Sequence, residues 1–162
     1  MEKNPYSAQL AGQSPDPILA TTAARLNTLA CSLTPEQLEA PHAPGKWSPR
    51  EILAHLADCE LAFSFRLRQI LAAPTETPNT IQPFDQTAWS TRYAAYDTPS
   101  ALALFTAARA WNLNLLTTIT PEDRTRPAHH PERGDITFQN VLETIAGHDI
   151  NHLQQLEALI RP

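Results

Sequence analysis

The stretch Phe138–Ile160, FQNVLETIAGHDINHLQQLEALI, decides the fold. Val141, Ile145, Leu156 and Leu159 recur at the spacing of one helix face, and His148 and His152 fall in the same stripe, where apolar core residues are expected. Two histidines at i and i+4 lie one above the other on that face, so their imidazoles can converge on one ion if a neighbouring helix supplies a third ligand. The segment REILAHLADCELAF (50–63) offers it: Ile52, His55, Cys59 and Phe63 form a second inward stripe. A buried imidazole left unpaired costs about 1–3 kcal/mol, and three converging neutral rings recover that cost by ligating a metal.

Proline punctuates the rest of the chain. The 15 prolines stand between periodic segments, whereas glycine, with 4 residues, is scarce. Ser48-Pro49-Arg50-Glu51 combines an N-cap serine, proline at the first helical position and a capping-box glutamate. Pro17 precedes ILATTAARLNTLACSL, Pro35 opens a short turn of helix in TPEQLEA, Thr98-Pro99 opens SALALFTAARAWNLNLLTTI and Thr120-Pro121 stops it. Four long helices are expected near 17–32, 49–73, 99–119 and 138–160. The connection from 74 to 98 is too long for a minimal turn, and its aromatics predict a crossover packed on the bundle, with a short helix near 85–93. Strand patterning is absent apart from an extended stretch around Asp135-Ile136. The expected fold is therefore an all-α four-helix bundle, one domain over 1–162, with residues 1–14 as a flexible N-terminal arm.

Composition narrows the function classes. A net charge of −5 with only 12 Lys and Arg gives no clustered basic footprint, which argues against nucleic acid as a partner. No stretch approaches the roughly 20 apolar residues of a membrane span, and the N-terminus has no signal-peptide core, so the expectation is a cytoplasmic protein without a membrane partner. Cys31 and Cys59 sit in apolar helical patterns, where inert reduced thiols are expected; for Cys59 a small apolar spacer is favoured over a metal-ligand role.

The motif W-S-x-x-E-x-L-x-H-L-x-D in KWSPREILAHLAD (46–58), followed by HPE-x-G-x-x-T (130–137) and a helix bearing His-x-x-x-His, resembles the DinB/YfiT-like superfamily of metal-binding four-helix bundles. The likeness runs from about Leu19 to the end. It implies an up-down-down-up bundle, a divalent metal, zinc or nickel, held by His55, His148 and His152, and a homodimer. Characterised relatives of this superfamily include transferases and isomerases that use low-molecular-weight thiols such as bacillithiol and mycothiol.

Three neutral imidazoles leave an open coordination position, the arrangement of a catalytic rather than a closed structural site. The expected chemistry is transfer of a small thiol to an electrophilic small molecule, the metal lowering the thiol pKa. A metal-dependent hydrolase and a non-catalytic, metal-stabilised stress-response or binding module are the alternatives. The hydrolase requires a carboxylate base, for which Asp58 is the nearby candidate; Asp58 could also orient an imidazole. Asp149 and Asn151 read as a solvated helix face, and Glu60, about 140° around the helix from His55, as an exposed salt-bridging residue. His130 is expected to fix its loop, and His42 and His129 to lie at the surface. Arg66 and Arg68 could hold the carboxylate of a thiol or line a solvated flank. Trp47, Trp89 and Trp111 read as core or lid aromatics.

Overall fold

The computed structural model describes residues 3–160, excluding the side chain of Ile160. In chain order its elements are α1 (Ser7–Leu10), α2 (Pro15–Cys31), α3 (Pro35–Glu39), α4 (Pro49–Ala72), α5 (Gln86–Ser90), α6 (Thr98–Leu116), α7 (Pro121–Arg124), β1 (Pro127–His130), β2 (Gly134–Thr137) and α8 (Phe138–Ile160). A short 3₁₀ turn, Tyr93–Ala95, lies between α5 and α6. The long helices α2, α4, α6 and α8 form a four-helix bundle, and the capping chemistry sets their ends. At α4 the Ser48 hydroxyl accepts from the Glu51 amide at 3.3 Å while the Glu51 carboxylate accepts from the Ser48 amide at 2.8 Å. At α6 the cap is Asp97, one residue before the expected Thr98, its carboxylate accepting from the Ser100 amide. Thr120-Pro121 does not stop this helix, which ends at Leu116; it opens α7 instead, with its own capping box to Asp123.

Side-chain pairings fix the helix directions. Ala57 and Ala101 line one cavity between α4 and α6, and further along the same two helices Glu60 pairs with Arg109 and Arg68 with Asn112, so α4 and α6 run parallel. The Leu19 carbonyl and Asp149 share Arg109, while Arg25 pairs with Glu157, so α2 and α8 are also parallel. His55 meets His152 and Phe63 meets His148, which makes α4 and α8 antiparallel. The result is up-down-down-up. Two parallel neighbours in sequence, α4 and α6, require the long crossover that the spacing predicts.

The core divides in two. One cluster contains Leu19, Phe63, Leu67, Ile70, Val141, Leu142 and Ile145; the other contains Leu26, Ile52, Leu56, Ala101, Phe105, Leu153 and Leu156. Between them every long helix contributes buried polar residues: Thr22 from α2, His55 and Glu60 from α4, Arg109 and Asn112 from α6, and His148, Asp149 and His152 from α8. This polar layer holds the candidate site.

Three expectations are corrected. Residues 127–137 form a β-hairpin, pairing Pro127 with Thr137 and His130 with Gly134; a glycine at φ +72° makes its turn, and Thr80 of the crossover bridges to His129. Trp111 is 66% exposed, on the outer face of α6 away from the inward stripe of Ala101, Phe105, Arg109 and Asn112. Residues 4–10 are not a loose arm: Asn4 and Leu10 are buried, and Tyr6 lies so close to Gly147 that a Cβ there would stand 2.6 Å from the Tyr6 backbone oxygen. Among the described residues, no helix is long and apolar enough to cross a membrane.

Candidate metal centre

Helix α4 delivers His55, and α8 delivers His148 and His152. All three are at least 95% buried, and one nitrogen from each lies within 4.8 Å of the other two. The Nε2 atoms of His55 and His148 are 3.0 Å apart. Four-coordinate zinc, with Zn–N near 2.0–2.1 Å, sets its ligand nitrogens about 3.3 Å apart, so the cluster needs only small adjustments to close on one ion.

Electrostatics favours the neutral, ligating form of each ring. Burial lowers the pKa of His55 to about 3, with the nearby His152 adding to the effect, and lowers that of His152 to about 4. Burial also holds His148 well below its ordinary value. Hydrogen bonds orient two of the rings. The His152 Nδ1 donates to the Gln155 side-chain oxygen at 3.0 Å, leaving its Nε2 lone pair for an ion, and the His55 Nδ1 is 3.2 Å from the Tyr93 hydroxyl, which can accept from it in the same tautomer. The fit to a divalent cation is thus one of geometry, protonation and orientation together.

Asp58 is not part of this arrangement. Three residues along α4 turn it about 60° away from His55, into a separate cavity that it lines with Leu61, Tyr96 and Leu104. Glu60 and Asp149, expected at the surface, are 2% and 1% exposed. Both clasp Arg109: its Nε and Nη2 donate to Glu60 at 2.9 and 2.8 Å, its Nη1 to Asp149 at 2.7 Å and to the Leu19 carbonyl at 3.1 Å. The two carboxylates outweigh the cost of burial and raise the Arg109 pKa, keeping it charged. The solvated-face reading failed because a bundle helix buries two flanks; the one beside the histidines faces α6.

The remaining residues sort clearly. Cys59 is buried with its Sγ 3.5 Å from His55 Nε2, and Cys31 is exposed. His130 is buried and accepts from the Glu132 amide through Nδ1, fixing the hairpin turn as expected, while the His129 side chain is half exposed beside Asp135. Arg68 donates to the Ser64 carbonyl and to Asn112, away from the site; Arg66 lies beside it. Asn151 and exposed His42 line the mouth of a cavity of about 430 Å³ over His55 and His152, together with Trp47, Lys46 and Gln155. A second cavity, about 240 Å³, reaches His148 from the other side, past Cys59, Arg66, His130 and Arg133. Tyr6 and Gln86 line both. Sequence reasoning missed Tyr6, Tyr93, Arg109, Arg133 and Gln155. Only Arg109 had a signal, at the centre of the Ala101, Phe105, Asn112 stripe.

Comparison with known proteins agrees with this architecture. The family model of the DinB superfamily matches residues 18–156. A protein of Oceanobacillus iheyensis provisionally named a metal-dependent hydrolase is 31% identical over 84% of this chain and 78% of its own length. YfiT of Bacillus subtilis, named in the same provisional way, is 30% identical over 89% of this chain and 81% of its own. The solved structure of YfiT, reported as a probable metal-dependent hydrolase with an unusual four-helix bundle topology, superposes with a TM-score of 0.77 at 28% identity, covering 89% of this chain and 84% of that one. A second four-helix bundle protein shares the fold alone, at a TM-score of 0.62 and 24% identity, over 94% of this chain and 98% of that one. By its family match and by these relatives, the chain belongs to the DinB superfamily.

Proposed function

We propose that this protein holds a divalent metal, zinc or nickel, through His55, His148 and His152 and transfers a low-molecular-weight thiol to an electrophilic small molecule. The observation that carries this reading is that two separate cavities meet at the three histidines, one against His55 and His152 and the other against His148. A reaction joining two molecules needs two such spaces. A bound divalent ion would supply the positive charge that favours a thiolate at neutral pH. The thiol would lose its proton to solvent, its sulfur would form the new bond, and the leaving group would depart with its bonding pair.

The chain's own residues do the positioning. Tyr93 and Gln155 hold two imidazoles in orientation, Tyr6 packs edge-on to His148 at 5.2 Å between ring centres, and Trp47 screens His55. No aspartate or glutamate lines the larger cavity among the described residues, so a carboxylate base for water activation is absent there. Hydrolysis is the second reading, favoured by the provisional names of the relatives.

One experiment separates them. Cobalt-substituted protein treated with bacillithiol, glutathione or cysteine should develop a sulfur-to-cobalt charge-transfer band, lost in His148→Ala, and should consume the thiol with monochlorobimane. Turnover of esters or amides that ignores thiol, with no spectral change, would replace transfer by hydrolysis.

A further inference from the structure

The smaller cavity contains cationic groups that the metal centre does not use. Arg66 is 8% exposed; it donates to the Gln82 carbonyl at 3.1 Å and lies against the faces of Phe63 and Phe84, 5.6 and 5.4 Å from their ring centres. Arg133 enters the same cavity from the hairpin, and among the described residues no carboxylate lies within ion-pair distance of either guanidinium. Buried arginines in proteins are ordinarily paired, because an unpaired buried charge is costly. Burial lowers the pKa of both arginines, and Arg133 lowers that of Arg66 further, while the charge of Glu132 offsets part of the effect on each. His130 spends Nδ1 as an acceptor from the Glu132 amide, so its neutral ring keeps an Nε2–H donor. Exposed Glu132 supplies the one carboxylate of the lining. Two guanidinium charges against it leave a net charge of +1.

We propose that this cavity is a carboxylate subsite, in which Arg66, Arg133 and the His130 N–H take a singly charged carboxylate of a small organic ligand whose other end reaches the histidine cluster past His148. A net charge of +1 matches a carboxylate monoanion better than a phosphate dianion, and the guanidinium fork suits its two oxygens. The inference rests on the proposed thiol chemistry only for which ligand brings the carboxylate. The subsite itself stands on the arginines.

The test has two arms, so that the subsite and the thiol reading fail separately. In the first, the zinc-loaded protein is titrated with propionate while the arginine Nε–H signals are followed by nuclear magnetic resonance. Saturable shifts at Arg66 and Arg133, absent with sodium chloride of equal ionic strength, support the subsite. Absent shifts, or shifts with inorganic phosphate alone, overturn it whatever the thiol chemistry. In the second, cobalt protein is titrated with 3-mercaptopropionate and with 2-mercaptoethanol. If the thiol brings the carboxylate, 3-mercaptopropionate binds about tenfold more tightly, as one charge-assisted pair provides. Arg133→Gln, on the partly exposed hairpin and tolerable to the fold, should erase that preference without changing 2-mercaptoethanol binding, and Arg66→Gln should act alike. Equal binding of the two thiols, or a preference that survives both substitutions, overturns the assignment of the carboxylate to the thiol. Propionate shifts without any thiol binding would instead keep the subsite for a carboxylate substrate and sink thiol transfer.

Discussion

Asp149, the neighbour of His148 in sequence, has its carboxylate 2.7 Å from the Arg109 Nη1, and both residues are at least 98% buried. This contact ties the histidine-bearing turn of α8 to α6. Because Arg109 also holds Glu60 of α4 and the Leu19 carbonyl of α2, one guanidinium joins all four long helices at the level of the histidines. Removing one partner leaves the others buried and unpaired. Arg109→Met should therefore cost about 3–5 kcal/mol in urea unfolding. Asp149→Asn should weaken zinc retention as well, as read by competition with a chromophoric chelator. Unchanged stability in Arg109→Met would show that the network contributes nothing net.

Gly147 is the point where the N-terminal segment meets the centre. A Cβ there would stand 2.6 Å from both the Cβ and the backbone oxygen of Tyr6, so the segment must move to admit one. Alanine is otherwise favoured over glycine in a helix by about 1 kcal/mol. Gly147→Ala should nonetheless lower the melting temperature and expose residues 4–10 to limited proteolysis, while Tyr6→Ala should leave the cavities merged and the fold intact. A Gly147→Ala protein more stable than the wild type, with its N-terminal segment still protected, would contradict the docking.

The two thiols should react very differently. Cys31 is exposed at the end of α2, whereas burial pushes the Cys59 thiol up, helped by the negative charge of Asp58. Metal-free protein at pH 8 should take up one equivalent of iodoacetamide quickly, at Cys31, and a second only on unfolding. Rapid labelling of Cys59 in the folded protein, mapped by peptide mass, would show that the smaller cavity admits reagents to a reactive thiolate.

The buried three-histidine cluster was legible because His148 and His152 replace apolar residues in a stripe whose other members, Val141, Ile145 and Leu156, are unambiguous, and because His55 repeats the substitution on another helix. The four long helices were legible through their caps, Ser48 with Glu51 above all. The Glu60–Arg109–Asp149 cluster was not. Glu60 and Asp149 stand on flanks where a charged residue is ordinarily solvated, and only Arg109, reaching them from the inward stripe of α6, makes their burial tolerable. The docked N-terminal segment was hidden for a related reason: α1 has a single turn, too short for periodicity to show, and its docking depends on the missing side chain of Gly147.

Acid should unfold the metal-free protein well before the ordinary carboxylate range. In the unfolded chain each histidine titrates near 6.5, whereas burial lowers His55 to about 3 and His152 to about 4 and holds His148 well below its usual value. Above pH 6.5 neither state binds these protons and the histidines add no pH dependence. Between about 4 and 6.5 the unfolded chain binds protons that the folded chain refuses, so stability falls as pH falls, by up to about 1.4 kcal/mol per pH unit for each ring. The carboxylates of the N-cap Asp97 and of the capping-box Asp123, whose pKa values backbone hydrogen bonds lower, add their loss only at more acid pH. The urea midpoint of chelated protein should therefore drop steeply from pH 7 to pH 5, and His152→Leu should remove about a third of that slope. Zinc should raise the midpoint at pH 7 and lose this effect toward pH 5, as protons compete for the same nitrogens. A metal-free midpoint that stays flat across this window would mean that the three rings are solvated and protonated in the folded protein, and that the buried neutral triad is not its resting state.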